Sequence, residues 1–385
     1  MEVNMNEIEE RLFAGEDYVN QFKIDFHSID ALAAEMVAFA NSDGGAIYVG
    51  VTDDGDVLGL DRIAVKRLNQ WVSSAASQKI TPPLSVKTEN VVLDGRIILI
   101  IRVPLGDNKP YAANKGDFWV KVGADKRRAV REELVRLMQA SGQFYADEMV
   151  SRIPLADFDT PLFRAAYQKY FGEFIDISEI AEDVLLQNLK LAEGDFLTLA
   201  GALLFGKTTA TKLPQFAVQA TSYRSIDQFV DKDDYRGTLL KQYEAVLSFL
   251  LRNLRRTADI DDFNAGGQLE VPIGALKEAV ANALVHRDYL ISAPISVGIY
   301  ADRVEIISPG KMPNTITIES ASRGIHIERN PIIMSFLARE SHFGYTGRGS
   351  GIPRILRLCK DAGVDVKLVE SKEDQTFSVI FKRSL

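Results

Sequence analysis

The order of hydrophobic periodicities predicts an α+β protein built from more than one domain. Towards the end of the chain, helix-period and strand-period runs follow one another so as to lay helices on a single sheet. Near residue 95 an Asp-Gly pair separates two β-rich runs, a strong antiparallel hairpin signal. The length, 385 residues, exceeds what one hydrophobic core usually serves. Boundaries then fall near residues 150 and 265, giving segments 1–150, 151–265 and 266–385, the middle one a mostly helical bridge.

From the N-terminus, Ile29, Leu32, Ala33, Met36, Val37 and Ala40 recur at three- and four-residue steps and predict an amphipathic helix, stopped by Asn41-Ser42-Asp43-Gly44-Gly45. Residues 46–51 read as a short buried strand, 52–56 as a turn and 57–60 as its continuation. A second helix follows over 62–77. Runs 84–92 and 96–103 flank Leu93-Asp94-Gly95 and predict the hairpin, with a strand at 118–122 and a helix at 128–139 beyond it. In the middle segment, 198–207 reads as a buried helix capped by Gly206, 216–223 as a strand and 234–256 as one long amphipathic helix closed by Ala265-Gly266-Gly267. The last segment predicts a helix at 273–286, strands at 295–300 and 304–307, helices at 331–339 and 352–362, and strands at 364–369 and 376–381.

Composition narrows the function classes. With 46% hydrophobic and 25% charged residues, the whole chain is expected to fold. No apolar run reaches the length of a bilayer crossing, and the first residues are acidic where a secretory leader would be basic, so the expected address is the cytoplasm, with no membrane partner. A single cysteine, Cys359, excludes intramolecular disulfides and thiolate-rich zinc sites, and the scattered His27, His286, His326 and His342 lack ligand-pair spacing. The formal net charge of -8 opposes tight non-specific binding to a polyanion, while clusters such as Lys126, Arg127, Arg128 and Arg131 leave local nucleic-acid contact open.

The chemistry-bearing residues concentrate in the last segment. Glu278, Asn282 and His286 stand at successive four-residue steps, so their side chains emerge from one helix face. A carboxylate and a carboxamide one turn apart can act as general base and as oxygen donor to a magnesium ion carrying nucleotide phosphates, and the same stripe also fits a plain solvent-facing helix side. Gly347, Gly349 and Gly351 punctuate a loop that leads into a helix, which lets backbone amides approach an anion at the positive end of the helix dipole. The run 278–289, the segment 304–310, Arg329-Asn330-Pro331 and residues 347–352 resemble the ATP-binding C-terminal domain of RecG-related regulators, a divergent relative of the GHKL ATPases. The resemblance implies a GHKL-like α/β sandwich with ATP and Mg2+ as cofactors. It implies Asn282 as magnesium ligand, Glu278 as catalytic base, His286, Ser308 and Gly310 as further nucleotide contacts, and Gly347, Gly349 and Gly351 as the phosphate-side loop. Where the GHKL pattern places an aspartate that reads the adenine amino group, this chain has Ser308-Pro309-Gly310; a serine can accept one hydrogen bond but carries no charge.

At the other end, residues 15–23, 38–45, 50–59, Pro110-Tyr111 and 118–123 resemble in order and spacing the Schlafen-type Alba-like domain, over about residues 10–140. Schlafen relatives with ribonuclease activity hold an acidic metal site of two glutamates and an aspartate in this region. The resemblance puts Glu16 at the first position, Gln21 at the second and Asp53 or Asp54 at the third, with Lys121 as the basic residue of the following strand. A neutral amide holds a divalent cation less well than a carboxylate, which weighs against metal-dependent cleavage.

Together the resemblances imply a regulator, of the transcriptional-regulator type, in which nucleotide binding at the C-terminal module changes how the N-terminal module engages DNA, RNA or a protein partner, with slow ATP turnover or none. The alternatives are a metal-dependent nuclease at the N-terminal acids and a non-catalytic scaffold whose two sites have decayed. A homodimer is compatible with the family. Many such relatives continue into a winged helix, whereas the last predicted strand here lies close to Leu385, so no major-groove reader is expected.

Overall fold

The computed structural model describes residues 5–383 apart from 115, 143, 173–180, 226–227, 258–266, 313–315, 341–342, 344–348 and 372. The chain divides into two units, Met1–Phe144 and Tyr145–Leu385. It is an α+β protein, as the sequence predicts. None of its described helices is long and apolar enough to cross a membrane.

In the first unit, helix α1 (Met5–Ala14) precedes strand β1 (Asn20–Lys23), and helix α2 (Ile29–Asn41) leads from it to strand β2 (Gly45–Val49), which runs parallel to β1 with Gln21 opposite Ile47. Ser28 starts α2 by accepting from the amide of Ala31 at 3.1 Å. Asp61 caps helix α3 (Arg62–Ser74) in the same way, through Ala64 at 2.7 Å. Strands β3 (Lys87–Leu93) and β4 (Arg96–Val103) form the expected hairpin, and Asp94 and Gly95 both take positive φ, 47° and 75°, as a tight two-residue turn requires.

The strands line up in the order β1-β2-β4-β3. Two-residue alternation sends Ile98 and Ile100 to one face and Leu99 and Ile101 to the other. Ile8 and Leu12 of α1 cover the first face; Leu32 and Met36 of α2 with Leu68 and Val72 of α3 cover the second. Asn41 then ties the helix end to distant chain, donating to the carbonyls of Tyr111 at 2.8 Å and Trp119 at 3.0 Å and accepting from the Tyr111 amide at 2.7 Å. Strands β5 (Trp119–Val122) and β6 (Asp125–Arg128) form a separate hairpin, followed by helix α4 (Arg131–Ala140). The helix expected from residue 128 therefore begins at Arg131, because residues 125–128 pair with β5.

The second unit is built on a six-stranded sheet. Its strands are β7 (Val218–Ser225), β8 (Gln228–Tyr235), β9 (Ile295–Ile299), β10 (Arg303–Pro309), β11 (Val366–Ser371) and β12 (Thr376–Lys382), in the order β8-β7-β9-β10-β12-β11. Only the β7–β9 pair is parallel. The long helix expected over 234–256 starts instead at Leu239, as helix α7 (Leu239–Asn253), because residues 228–235 pair with β7 as an edge strand. Helices α5 (Thr160–Phe171) and α6 (Leu199–Phe205) precede β7, and α8 (Ile273–His286), α9 (Pro331–Leu337) and α10 (Gly351–Asp361) belong to the C-terminal part. A three-stranded sheet of Val150–Pro154, Ala192–Glu193 and Phe196–Thr198 lies near the start of the unit.

One continuous core joins these pieces: Phe163, Leu203 and Leu250 belong to the same cluster as Leu276, Ile306, Phe336 and Phe381. The segment 151–265, expected as a separate bridge, thus shares both sheet and core with 266–385, since β7 cannot bury its apolar side without α7 and α8. The helix capped by Gly206 is found, with the Gly206 amide closing on the Ala202 carbonyl at a φ of -77°.

Asp147 holds the start of α9 from inside this core. It accepts from the amides of Ile332 at 2.8 Å and Ile333 at 3.0 Å, and its Oδ1 has no hydrogen-bond partner. Burial pushes its carboxyl up to about 7, against the pull of those two amides. A carboxyl raised on folding binds its proton more tightly in the native state, so its contribution to stability falls as pH rises from its ordinary value towards 7 and is level above. Asp147→Asn removes that contribution. Urea unfolding at about pH 4.5 and about pH 7.5 should show the parent losing more stability, or gaining less, than the variant between the two. Identical pH dependence in both would refute the assignment.

Candidate functional site

Helix α8 buries Ala275, Leu276, Ala279, Val280 and Leu284 in the core and leaves Asn282 and His286 half-buried along one edge. That edge borders a cavity of about 110 Å³. Asn282 and His286 line it from α8, Ser308 and Gly310 from the end of β10, and Gly349 and Gly351 from the entry to α10. Ile306 and Val379, neighbours across the β10–β12 ladder, give it an apolar floor. Six of the eight predicted residues therefore meet in one place. Gly347 lies outside the described residues.

The backbone comes close to neighbouring groups at two of these positions, and at Gly349 it requires glycine. A Cβ at Gly351 would stand 2.7 Å from Glu278 Oε1 and 2.7 Å from Asn282 Nδ2; one at Gly349, where φ is +69°, would stand 2.1 Å from the Gly324 carbonyl. The chain entering α10 thus lies close against the polar side of α8. Ser308 is buried and its hydroxyl donates to the Ala283 carbonyl at 3.1 Å, which leaves its lone pairs free to accept.

Glu278, the fourth-residue neighbour of Asn282, is placed differently. It is not among the cavity-lining residues; its carboxylate is 3% exposed, and Oε2 lies 3.5 Å from Arg354 of α10 while Oε1 has no hydrogen-bond partner. Burial raises its carboxyl and the Arg354 guanidinium opposes that.

The C-terminal end of α8 is held by residues whose motif the sequence shows but whose role it does not. Asn330 donates through Nδ2 to the carbonyls of Val285 at 2.7 Å and Arg287 at 2.9 Å. Arg329 donates to the His286 carbonyl at 3.3 Å and the Lys311 carbonyl at 2.8 Å. Both supply donors to carbonyls that a helix end leaves without intrahelical partners. Arg287 is buried between the rings of Phe216 and Tyr289, at 4.9 and 5.0 Å, and donates to the carbonyls of Ile291 and Ala293.

In the first unit two of the predicted acids, Glu16 and Asp53, flank one lysine. Glu16 accepts from the Phe22 amide at 2.7 Å and lies 3.6 Å from Lys23, which is also 4.0 Å from the exposed Asp53; Asp54 is exposed. Gln21 is buried and accepts from Lys121 Nζ at 2.7 Å. Lys121, also buried, donates to the Ala124 carbonyl and stands 4.8 Å over the Phe39 ring, and burial lowers its ammonium. Beside them is a group that sequence reading passed over: Glu35, buried on α2, pairs with Lys126, and its Oε2 has no hydrogen-bond partner. The signal was one acid inside the apolar run 31–40. Among the described residues, no three His, Cys, Asp or Glu side chains group so as to hold a metal ion.

Fold and site together define a two-domain α+β protein whose second domain carries a polar-edged cavity at the end of a helix-backed sheet. Residues 16–130 match the family model described as "Schlafen, AlbA_2", and residues 292–381 match the one described as "Putative ATP-dependent DNA helicase recG C-terminal". The chain thus resembles a Schlafen, AlbA_2 domain in its first unit and a recG C-terminal-type domain in its second. Helix α8 precedes the second matched segment. Among solved structures, the chain is similar to the DIP2311 protein from Corynebacterium diphtheriae, at 20% identity, covering 99% of this chain and 80% of that one with a TM-score of 0.49. It is also similar to the N-terminal domain of a "Putative ATP-dependent DNA Helicase RecG-related Protein" from Nitrosomonas europaea, at 22% identity over 34% of this chain and 95% of that one, TM-score 0.23. No curated protein matches.

His286 carries a pH signature of the cavity. Burial first, then the Arg329 guanidinium and the His326 ring, pushes its imidazole down to about 4. A histidine depressed on folding contributes stability above its ordinary value near 6.5 and loses it as pH falls towards 4. His286→Gln should flatten the loss of stability between about pH 7 and about pH 4.5, read by thermal unfolding at matched ionic strength; an unchanged acid limb would contradict this placement.

Proposed function

We propose that the cavity between α8, the end of β10 and the entry to α10 binds ATP with magnesium, and that the occupied state alters how the Schlafen, AlbA_2 domain engages nucleic acid. The observation that carries this reading is the meeting of Asn282, His286, Ser308, Gly310, Gly349 and Gly351 on one cavity although they lie up to 69 positions apart. The recG C-terminal-type match supports nucleotide binding as the chemistry.

The residues fit the group. Ile306 and Val379 suit the faces of a purine, and Ser308 can accept one hydrogen bond from an exocyclic amine, since its own proton is spent on Ala283. Gly349 and Gly351 bare the backbone in front of α10, an 11-residue helix whose positive end favours phosphate. The Asn282 carboxamide oxygen would hold the magnesium ion, which would supply charge neutralisation to the phosphates there. Glu278 is ion-paired and enclosed behind Gly351, which supports binding with slow turnover over rapid hydrolysis.

For the first domain, the β5–β6 hairpin gathers Lys126, Arg127 and Arg128, paired with Glu35, Glu133 and Asp117 in turn, and a nucleic acid would compete with those acids for them. Lys126 and Arg128 stand 5.8 and 5.7 Å over the Trp119 ring, an arrangement of cations and aromatic that serves backbone and base contact alike. The engagement of Gln21 by Lys121 and of Glu16 by Lys23 supports binding over metal-dependent cleavage.

Calorimetric titration with ATP tests the reading. Asn282→Ala should lose the magnesium-dependent part of the affinity, roughly tenfold or more, with the unfolding transition unchanged. Equal affinity in variant and parent at the same magnesium concentration would overturn it.

A further inference from the structure

Phe377 and Val379 of β12 lie opposite Ser308 and Ile306 of β10 in the ladder, and all four line the cavity beside α8. Ile306, Phe377 and Val379 make an apolar surface that takes any flat ring, because contact with the faces of a base does not read the groups at its edge. Rings of one shape are told apart only where a polar group of the site pairs with one of them and is left unpaired by the other. The choice of base therefore falls to the polar side chains beside that floor.

Adenine carries an amine, a donor, where guanine carries a carbonyl, an acceptor. A carboxylate fixed at that edge would accept from the amine and repel the carbonyl. Among the described residues no Asp or Glu lines this cavity, and the stretches 310–317 and 341–352 contain none in sequence. The acids close by are engaged elsewhere: Glu278 with Arg354 at 3.5 Å, Asp288 with the Leu290 amide at 2.9 Å and Glu370 with the Met312 amide at 2.8 Å.

Ser308 supplies an uncharged group in their stead. With its proton on the Ala283 carbonyl, at 3.1 Å, the hydroxyl accepts from an amine. Turned about its C–O bond it donates to a carbonyl, giving up one neutral hydrogen bond, which changes an affinity by about tenfold or less. Lys311 pulls the other way. It borders the cavity, is exposed, has no ion-pair partner among the described residues, and favours the guanine edge, whose carbonyl and ring nitrogen are acceptors that lysine contacts. The set of the hydroxyl and the charge of the lysine thus offset one another.

We infer, on the reading that this cavity holds a nucleotide, that it takes adenine and guanine nucleotides alike, and that Ser308 sets this breadth because it can either accept or donate. The phosphates, common to both ligands, meet the same Asn282 and Gly349–Gly351 entry.

Competition calorimetry on the full chain with magnesium, using ATP, GTP and inorganic tripolyphosphate, tests this. ATP and GTP should displace one another with affinities within about tenfold, and tripolyphosphate, which has no base to lay on the floor, should bind at least about tenfold more weakly than either. Ser308→Ala should weaken both nucleotides by a similar factor. Ser308→Asp should favour ATP over GTP by more than about tenfold. If thermal unfolding shows that Ser308→Asp does not fold, the parent ratio and Ser308→Ala decide. GTP bound more than about tenfold more weakly or more tightly than ATP would overturn the inference and leave the nucleotide reading standing. A folded Ser308→Asp protein with the parent's ratio, or a Ser308→Ala loss confined to one nucleotide, would do the same. Tripolyphosphate as tight as ATP would overturn it by showing that no base is held, and failure of all three to bind would overturn both readings.

Discussion

The second domain depends on how closely α10 approaches α8. Two glycines permit it: a Cβ on Gly351 would strike Asn282 and Glu278, and one on Gly274, at the other end of α8, would come within 2.9 Å of Leu358 late in α10. The start of one helix therefore lies against the end of the other, an antiparallel pair drawn together where side chains would hold it apart. A methyl added at Gly351 would displace the ends of the Asn282 and Glu278 side chains. Everything polar about the cavity follows from this contact, because it sets the positive end of α10 beside Asn282 and seals Glu278 from solvent.

A second layer of polar groups keeps α8 in register with the cavity. The last carbonyls of α8 are met by Asn330 and Arg329, residues that belong to the turn leading into α9, and α9 is itself started by Asp147. Buried donors and acceptors of this kind cost little while paired and a great deal when one partner is removed. The arrangement makes α8, α9 and the end of β10 one mechanical piece: Gly310 packs so tightly on Asp288 and Arg329 that a Cβ would come within 2.6 Å of both.

Much of this was legible beforehand, for identifiable reasons. Helix 273–286 was read with the bounds the structure has, since a long apolar period leaves little choice, and the Asp94-Gly95 turn carries its own conformational demand. Strand β1 went unread because four residues hold no period, and β8 went unread up to residue 233, its last two residues being taken into the helix, because Asp231, Asp233 and Asp234 face partners or solvent on an edge that lacks apolar alternation. In the cavity, four-residue spacing brought Asn282 and His286 to one edge. The same spacing also promised Glu278 there, and only the distant Arg354 and Gly351 explain why it turns inward. The Gln21–Lys121 bond, 100 residues apart, leaves no trace in local pattern, and the burial of Glu35 shows there only as a single acid in the apolar run 31–40.

The most direct test of the account is a crystal structure of the full chain soaked with a non-hydrolysable ATP analogue and magnesium. The account predicts the analogue between the Ile306–Val379 floor and Gly349–Gly351, with the metal within coordinating distance of Asn282. An analogue bound elsewhere, or this cavity left without it at saturating concentration, would contradict it.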